Sequence, residues 1–147
     1  GNLLVGWLTG STVLFGAAAV GAVGPVISVL CAMVIGATIS RELIKDVEDV
    51  TGDAAEGLQT AAIVWGRERA VQAAMAAAVL SVALSAGPVL LGVYGTAYLV
   101  TIAIADGLLV RAVWEARRDA RTAQRAVKRA MYLAMGAFLL PVVIAAI

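Results

Sequence analysis

The sequence predicts an all-α, multi-pass membrane helix bundle, and three observations carry that reading. Of the 147 residues, 62% are hydrophobic and 14% charged, where soluble domains average about 45–50% and 25%; mean hydropathy is +0.96. All eleven cations and ten anions fall within two windows, Arg41 to Arg69 and Asp106 to Arg129, so residues 1–40, 70–105 and 130–147 carry no charge at all. Lastly, glycine and proline cluster at Gly21, Gly24 and Pro25 and again at Gly87 and Pro88, where they punctuate the long apolar blocks.

A helix needs about 20 mainly apolar residues to cross roughly 30 Å of hydrocarbon. The first two uncharged blocks therefore hold two crossings each and the last holds one. The expected transmembrane helices are 3–21, 25–49, 69–86, 88–111 and 129–147, forming one membrane domain over residues 1–147. The first carries Gly6 and Gly10 at GxxxG spacing, which suits close helix packing in lipid. With five crossings, both charged windows share one membrane face with the N-terminus. An excess of Lys and Arg marks the cytoplasmic side, so the charged loops are expected in the cytoplasm of a cell-membrane protein. Between the last two crossings lies a basic stretch, with Val113, Ala116, Ala120, Ala123, Val127 and Ala130 recurring every three or four residues. That pattern predicts an amphipathic helix lying at the bilayer interface. Trp65 and Trp114, at the charged boundary, are expected as interfacial anchors.

Composition also narrows the chemistry. There is no histidine and one cysteine, Cys31, so histidine-based triads, zinc spacings and disulfide frameworks are excluded. Cys31 reads as a small buried hydrophobe. Nucleic-acid binding is disfavoured, since the basic stretch joins membrane crossings at both ends. No basic flank precedes the first helix, so no secretory signal peptide is expected.

The informative segment is Arg41-Glu-Leu-Ile-Lys-Asp-Val-Glu-Asp-Val-Thr-Gly-Asp53 at the end of the second crossing. At about 100° per residue, Glu42, Asp46, Asp49 and Asp53 share roughly 60° of helix surface, while Glu48 points the other way. Such carboxylates repel one another. A divalent cation relieves the repulsion, and Mg²⁺ is commonly held by one or two carboxylates together with substrate phosphates. Asp49 and Asp53 are the candidate metal ligands, with Asp46 a turn earlier. Arg41 and Lys45 lie beside the stripe, where guanidinium and ammonium groups could meet phosphate oxygens. The alternative is a solvated helix end with no ligand.

The run RELIKDVEDVTGDAAEGLQTAAIVWG, residues 41–66, resembles the second aspartate-rich motif of the UbiA-type intramembrane prenyltransferases, most of all their archaeal ether-lipid branch. The opening GNLLVGWLTGSTVLFGAA is similar to the helix before that motif. The resemblance implies a nine-helix membrane fold of which these five crossings form the C-terminal half. It implies an Mg²⁺-dependent enzyme that moves a prenyl group from an isoprenyl diphosphate to a lipid-phosphate acceptor, with geranylgeranylglyceryl phosphate the first expectation and a quinone-ring or chlorophyllide acceptor the second. Asp49 and Asp53 then become the metal-binding pair, Asp46 an added acid, and Arg41, Lys45 and Arg67 diphosphate contacts. The family's first aspartate-rich motif has no counterpart among these residues. These 147 residues are thus expected to hold part of a site.

Two further positions are candidate pocket residues. Asp106 lies within the fourth crossing, and an ionisable group inside a membrane span is a functional candidate; the simpler reading is a side chain reaching water or Arg111. Thr60 lies in the loop after the acidic motif. Two rival classes are an ion-coupled transporter and a non-catalytic membrane partner. A transporter calls for acids near the midplane, whereas all the acids except Asp106 lie at one boundary.

Overall fold

The computed structural model describes residues 1–145, and within them the chain forms seven helices. These are α1 (Asn2–Ala19), α2 (Pro25–Ala55), α3 (Ala61–Val64), α4 (Arg67–Ser85), α5 (Gly87–Leu90), α6 (Thr96–Glu115) and α7 (Ala120–Ala145). Four segments are long and apolar enough to cross a membrane: α1, α2, α4 continued through α5 as Arg67–Leu90, and α6. The fifth expected crossing falls in α7. Its final residues, 146 and 147, lie outside the described residues.

Three expected boundaries move, each for a local reason. The second crossing continues past 49 to Ala55, because its polar end stays helical through the whole acidic motif. The crossing expected from 88 instead begins at Thr96, after the short α5 and a bend; Pro88 starts α5 rather than a long helix, and Gly92 takes a φ of 71°. The predicted interfacial helix over 111–129 is the largest correction. Those residues form the end of α6, a turn after Glu115 and the start of α7, with Asp119 accepting a hydrogen bond from the Thr122 backbone N–H at 3.1 Å. The recurring stripe Val113, Ala116, Ala120, Ala123, Val127 and Ala130 is buried within the bundle core. Its periodicity was that of a core face, because α2 and α4 offer it a protein surface before lipid can.

Helix α2 is the central element, packing against α1, α4 and α7. Glycine lets α1 approach it: a Cβ on Gly6 would stand 2.7 Å from Ile39 Cγ1, and one on Gly10 would stand 2.4 Å from Ile35 Cγ1. Both glycines are buried, as their spacing predicted. Cys31 is buried at the same seam, its Sγ 3.3 Å from the Gly10 carbonyl oxygen. On the α4 side, Gly36 faces the Ala77 carbonyl and Ser81, and Ser81 Oγ donates to the Met33 carbonyl at 2.9 Å. The core divides in two. An alanine- and valine-rich cluster holds the charged end, while Met33, Tyr98, Ile102, Ala105 and Ala137 pack toward the other, with Tyr94 and Phe138 against Tyr98 at 4.8 and 4.9 Å between ring centres.

Candidate functional site

The acidic motif keeps its one-sided geometry because α2 carries it as uninterrupted helix to Ala55. Beyond that point the chain must reverse. Gly57 supplies a φ of 73°, the Leu58 N–H donates to the Asp53 carbonyl at 2.9 Å, and the Gly57 N–H donates to the Ala54 carbonyl at 3.2 Å. This pair of bonds is a Schellman closure, and glycine is favoured there because a left-handed φ crowds any Cβ. The reversal lays Gln59, Thr60 and α3 back along α2.

Asp46 fastens that loop. Its Oδ2 accepts a 3.2 Å hydrogen bond from the Ala61 N–H, which opens α3, and a 2.8 Å bond from Asn2 Nδ2 at the start of α1. One carboxylate thus joins three helices. Around it is a cavity of about 700 Å³, whose wall includes Asn2, Ile39, Leu43, Asp46, Thr60 and Trp65. The Thr60 hydroxyl oxygen is buried with no hydrogen-bond partner. A buried unpaired hydroxyl is costly and calls for a ligand or water.

The remaining sequence-predicted residues divide clearly. Asp53 is half-buried, and Asp49 and Lys45 are exposed on α2. Arg41 is ion-paired with its neighbour Glu42. Glu48 points away, as expected, and accepts a 3.2 Å bond from Arg121 Nε on α7. Arg67 is brought elsewhere: its Nη2 donates to the Ala116 carbonyl at 3.1 Å, and it lines a separate cavity with Glu68, Val71 and Arg117. Asp106 likewise faces away from the Asp46 cavity. It accepts a 2.6 Å bond from Ser85 Oγ, while the Tyr98 hydroxyl donates to the Ser85 carbonyl at 2.8 Å. Arg111 pairs with Glu115 rather than with Asp106. Asn2, Ser85 and Tyr98 carried no local signal of these roles. Each meets its partner through tertiary packing, Asn2 across 44 residues of sequence.

Among the described residues, no three His, Cys, Asp or Glu side chains gather closely enough to hold a metal by themselves. What the residues do offer is hard carboxylate oxygen on an accessible stripe, the donor type Mg²⁺ takes singly or in pairs when phosphate completes its shell. The donor chemistry fits a cation shared with a diphosphate.

The description of the UbiA prenyltransferase family matches residues 1–141. The chain belongs to the UbiA prenyltransferase family. Digeranylgeranylglyceryl phosphate synthase of Natronomonas pharaonis is 44% identical to this UbiA-family chain over 140 residues, covering 95% of the chain and 50% of the relative. The synthases of that name from Halobacterium salinarum and Thermococcus kodakarensis are 45% and 39% identical, covering 94% and 95% of the chain and 50% and 51% of themselves. A solved structure concerning digeranylgeranylglyceryl phosphate synthase in membranes superposes with a TM-score of 0.87 at 31% identity, over 95% of this chain and 51% of its own. The chain spans about half the length of the curated relatives it matches. Its membrane character and helical fold follow from the family and from the apolar helices together.

Proposed function

We propose that this chain supplies one half of an intramembrane prenyltransferase site that transfers a prenyl group from an isoprenyl diphosphate to a glycerophosphate lipid. The observation that carries the reading is the Asp46 cavity. It brings Thr60, whose buried hydroxyl has no partner, together with a wall of apolar side chains, at the end of a helix whose carboxylates continue outward to Asp49 and Asp53. The synthase names of the relatives support the lipid acceptor over a quinone ring or chlorophyllide.

In this reading Asp49 and Asp53 would hold Mg²⁺, with Asp46 shaping the loop above. When bound there, the cation would supply positive charge to a leaving diphosphate. Arg41 and Lys45 supply further positive charge beside the stripe, and Thr60 donates its hydroxyl to a diphosphate oxygen. Ile39, Leu43, Val64 and Trp65 keep water from the prenyl carbon as its bond to oxygen breaks. The charged end of the bundle faces the cytoplasm in this reading, which the lysine and arginine bias supports. Carboxylates from outside these 147 residues complete the site.

The test uses the full-length enzyme, labelled prenyl diphosphate, and geranylgeranylglyceryl phosphate or a quinone-ring acceptor. Asp49→Ala and Asp53→Ala each lower transfer by roughly 100-fold or more, the upper end of what loss of a metal-orienting group costs. Thr60→Val lowers it about tenfold, the equivalent of one hydrogen bond to a charged group. Mg²⁺-dependent transfer surviving in both aspartate variants overturns the assignment, and preference for the ring acceptor overturns the lipid class.

A further inference from the structure

A second feature lies on the opposite side of α4 from the Asp46 cavity. Ala73 lines that cavity, while Val71 and Val82 line hollows between α4 and α6. At 100° per residue, Ala73 lies about 200° around the helix from Val71, and Val82 lies within about 20° of it. The α4–α6 seam is therefore a separate surface. It holds an open groove of about 480 Å³ lined by Val82, Asp106, Gly107, Val110, Arg111 and Trp114. From Asp106 to Trp114 it runs roughly 12 Å along α6.

The groove is graded in polarity. Its floor is apolar apart from the Asp106 carboxylate at the inner end, which accepts a hydrogen bond from the Ser85 hydroxyl, and Gly107 opens it: a Cβ built there meets nothing within 4 Å. At the charged end, the Arg117 guanidinium carbon stands 4.2 Å above the centre of the exposed Trp114 ring. This contact joins the groove to the adjoining hollow of about 300 Å³, lined by Arg67, Glu68, Val71 and Arg117. Two guanidiniums thus face one carboxylate there. The Ala116 carbonyl fixes Arg67, and the indole fixes Arg117 in a cation–π contact, so both are held in place before any ligand arrives.

From this we infer that the α4–α6 groove is a binding site for an anionic membrane phospholipid, its phosphate on Arg117 and Arg67 and one hydrocarbon chain along Val110, Gly107 and Val82. A tail is required because the floor is apolar and belongs to membrane-crossing helices. A negative headgroup is required because the rim carries surplus guanidinium, whose planar fork matches phosphate. Basic pockets between membrane helices favour such headgroups. The site is independent of the prenyl-transfer reading.

The test is native mass spectrometry of the full-length protein taken from vesicles of phosphatidylglycerol or of phosphatidylcholine. One phosphatidylglycerol stays bound per chain, and phosphatidylcholine is retained several-fold less. Arg117→Gln lowers phosphatidylglycerol retention about fivefold, as expected for one basic residue at a lipid surface. Gly107→Leu, which fills the groove without touching the rim, lowers it as much. Equal retention of both lipids overturns the inference, as does loss with Arg117→Gln but not with Gly107→Leu, which would leave a headgroup contact and no groove. Displacement of the lipid by soluble prenyl diphosphate would give the groove to the donor. Conversion from dimer to monomer by Gly107→Leu would give it to a second copy. Either result overturns the lipid assignment.

Discussion

Removing the Asp46 side chain is the sharpest probe of how the candidate site is built. Asp46→Ala deletes the acceptor for two hydrogen bonds, from Asn2 Nδ2 at 2.8 Å and from the Ala61 N–H at 3.2 Å. Bonds to charged groups contribute roughly 1.5–3 kcal/mol each. Because the site borders an open cavity, water replaces part of that, and a net loss of about 2 kcal/mol is expected for the α3 attachment. At about 1.4 kcal/mol per tenfold, this is a roughly 30-fold rise in local opening. Hydrogen exchange of the amides over residues 58–65, measured by mass spectrometry in detergent or nanodiscs, reads it directly. Asp46→Asn keeps an acceptor oxygen without the charge and gives about half the effect on a free-energy scale. Asn2→Ala loosens α1 but leaves the Ala61 bond, so its effect falls on the α1 amides, and the double variant with Asp46→Ala is less than additive. Unchanged exchange over 58–65 in Asp46→Ala would refute the argument that this carboxylate holds the loop over the cavity.

Other consequences are equally concrete. Gly10→Ala places a methyl carbon against Ile35 and the Cys31 carbonyl, costing about 1–3 kcal/mol of packing; α1 shifts outward, and Cys31 reacts faster with a maleimide than in the parent protein. Asp119 caps α7, and the hydrogen bonds it accepts from Thr122, side chain first and backbone next, hold its carboxyl below the ordinary carboxylate range. A depressed folded value means the cap is fully present above the unfolded value near 4 and is lost as pH falls through the folded one. Amides in the first turn of α7 therefore exchange faster below about pH 4, and Asp119→Ala removes that pH dependence. Ser85→Ala deletes the 2.6 Å bond to Asp106 and lowers thermal stability by an amount equivalent to about 0.6–1.7 kcal/mol, the range for polar contacts between membrane helices. No change in melting temperature would remove Ser85 as the link between α4 and α6.

Much of this molecule was legible in one dimension. Charge segregation fixes which segments can lie in hydrocarbon, since a charge in lipid costs kilocalories wherever the chain folds. Helical periodicity fixes that Glu42, Asp46, Asp49 and Asp53 share a face and that Glu48 does not, because the residues are adjacent and their geometry is local. That Gly6 and Gly10 share one face of α1 was readable for the same reason.

Tertiary structure decided the rest, and in each case the cause was a partner distant in sequence. The stripe from Val113 to Ala130 has the same periodicity whether it meets lipid or protein, and only the placement of α2 and α4 sends it into the core. Arg67 sits beside the acidic motif in sequence, yet the turn at Gly66, with a φ of 84°, aims α4 so that its guanidinium meets the Ala116 carbonyl instead. Asp46 read as a third metal ligand, and the fold also gives it Asn2 and Ala61 to hold. Local rules can say which side chains share a helix face; which helix covers that face depends on the packing of the whole bundle.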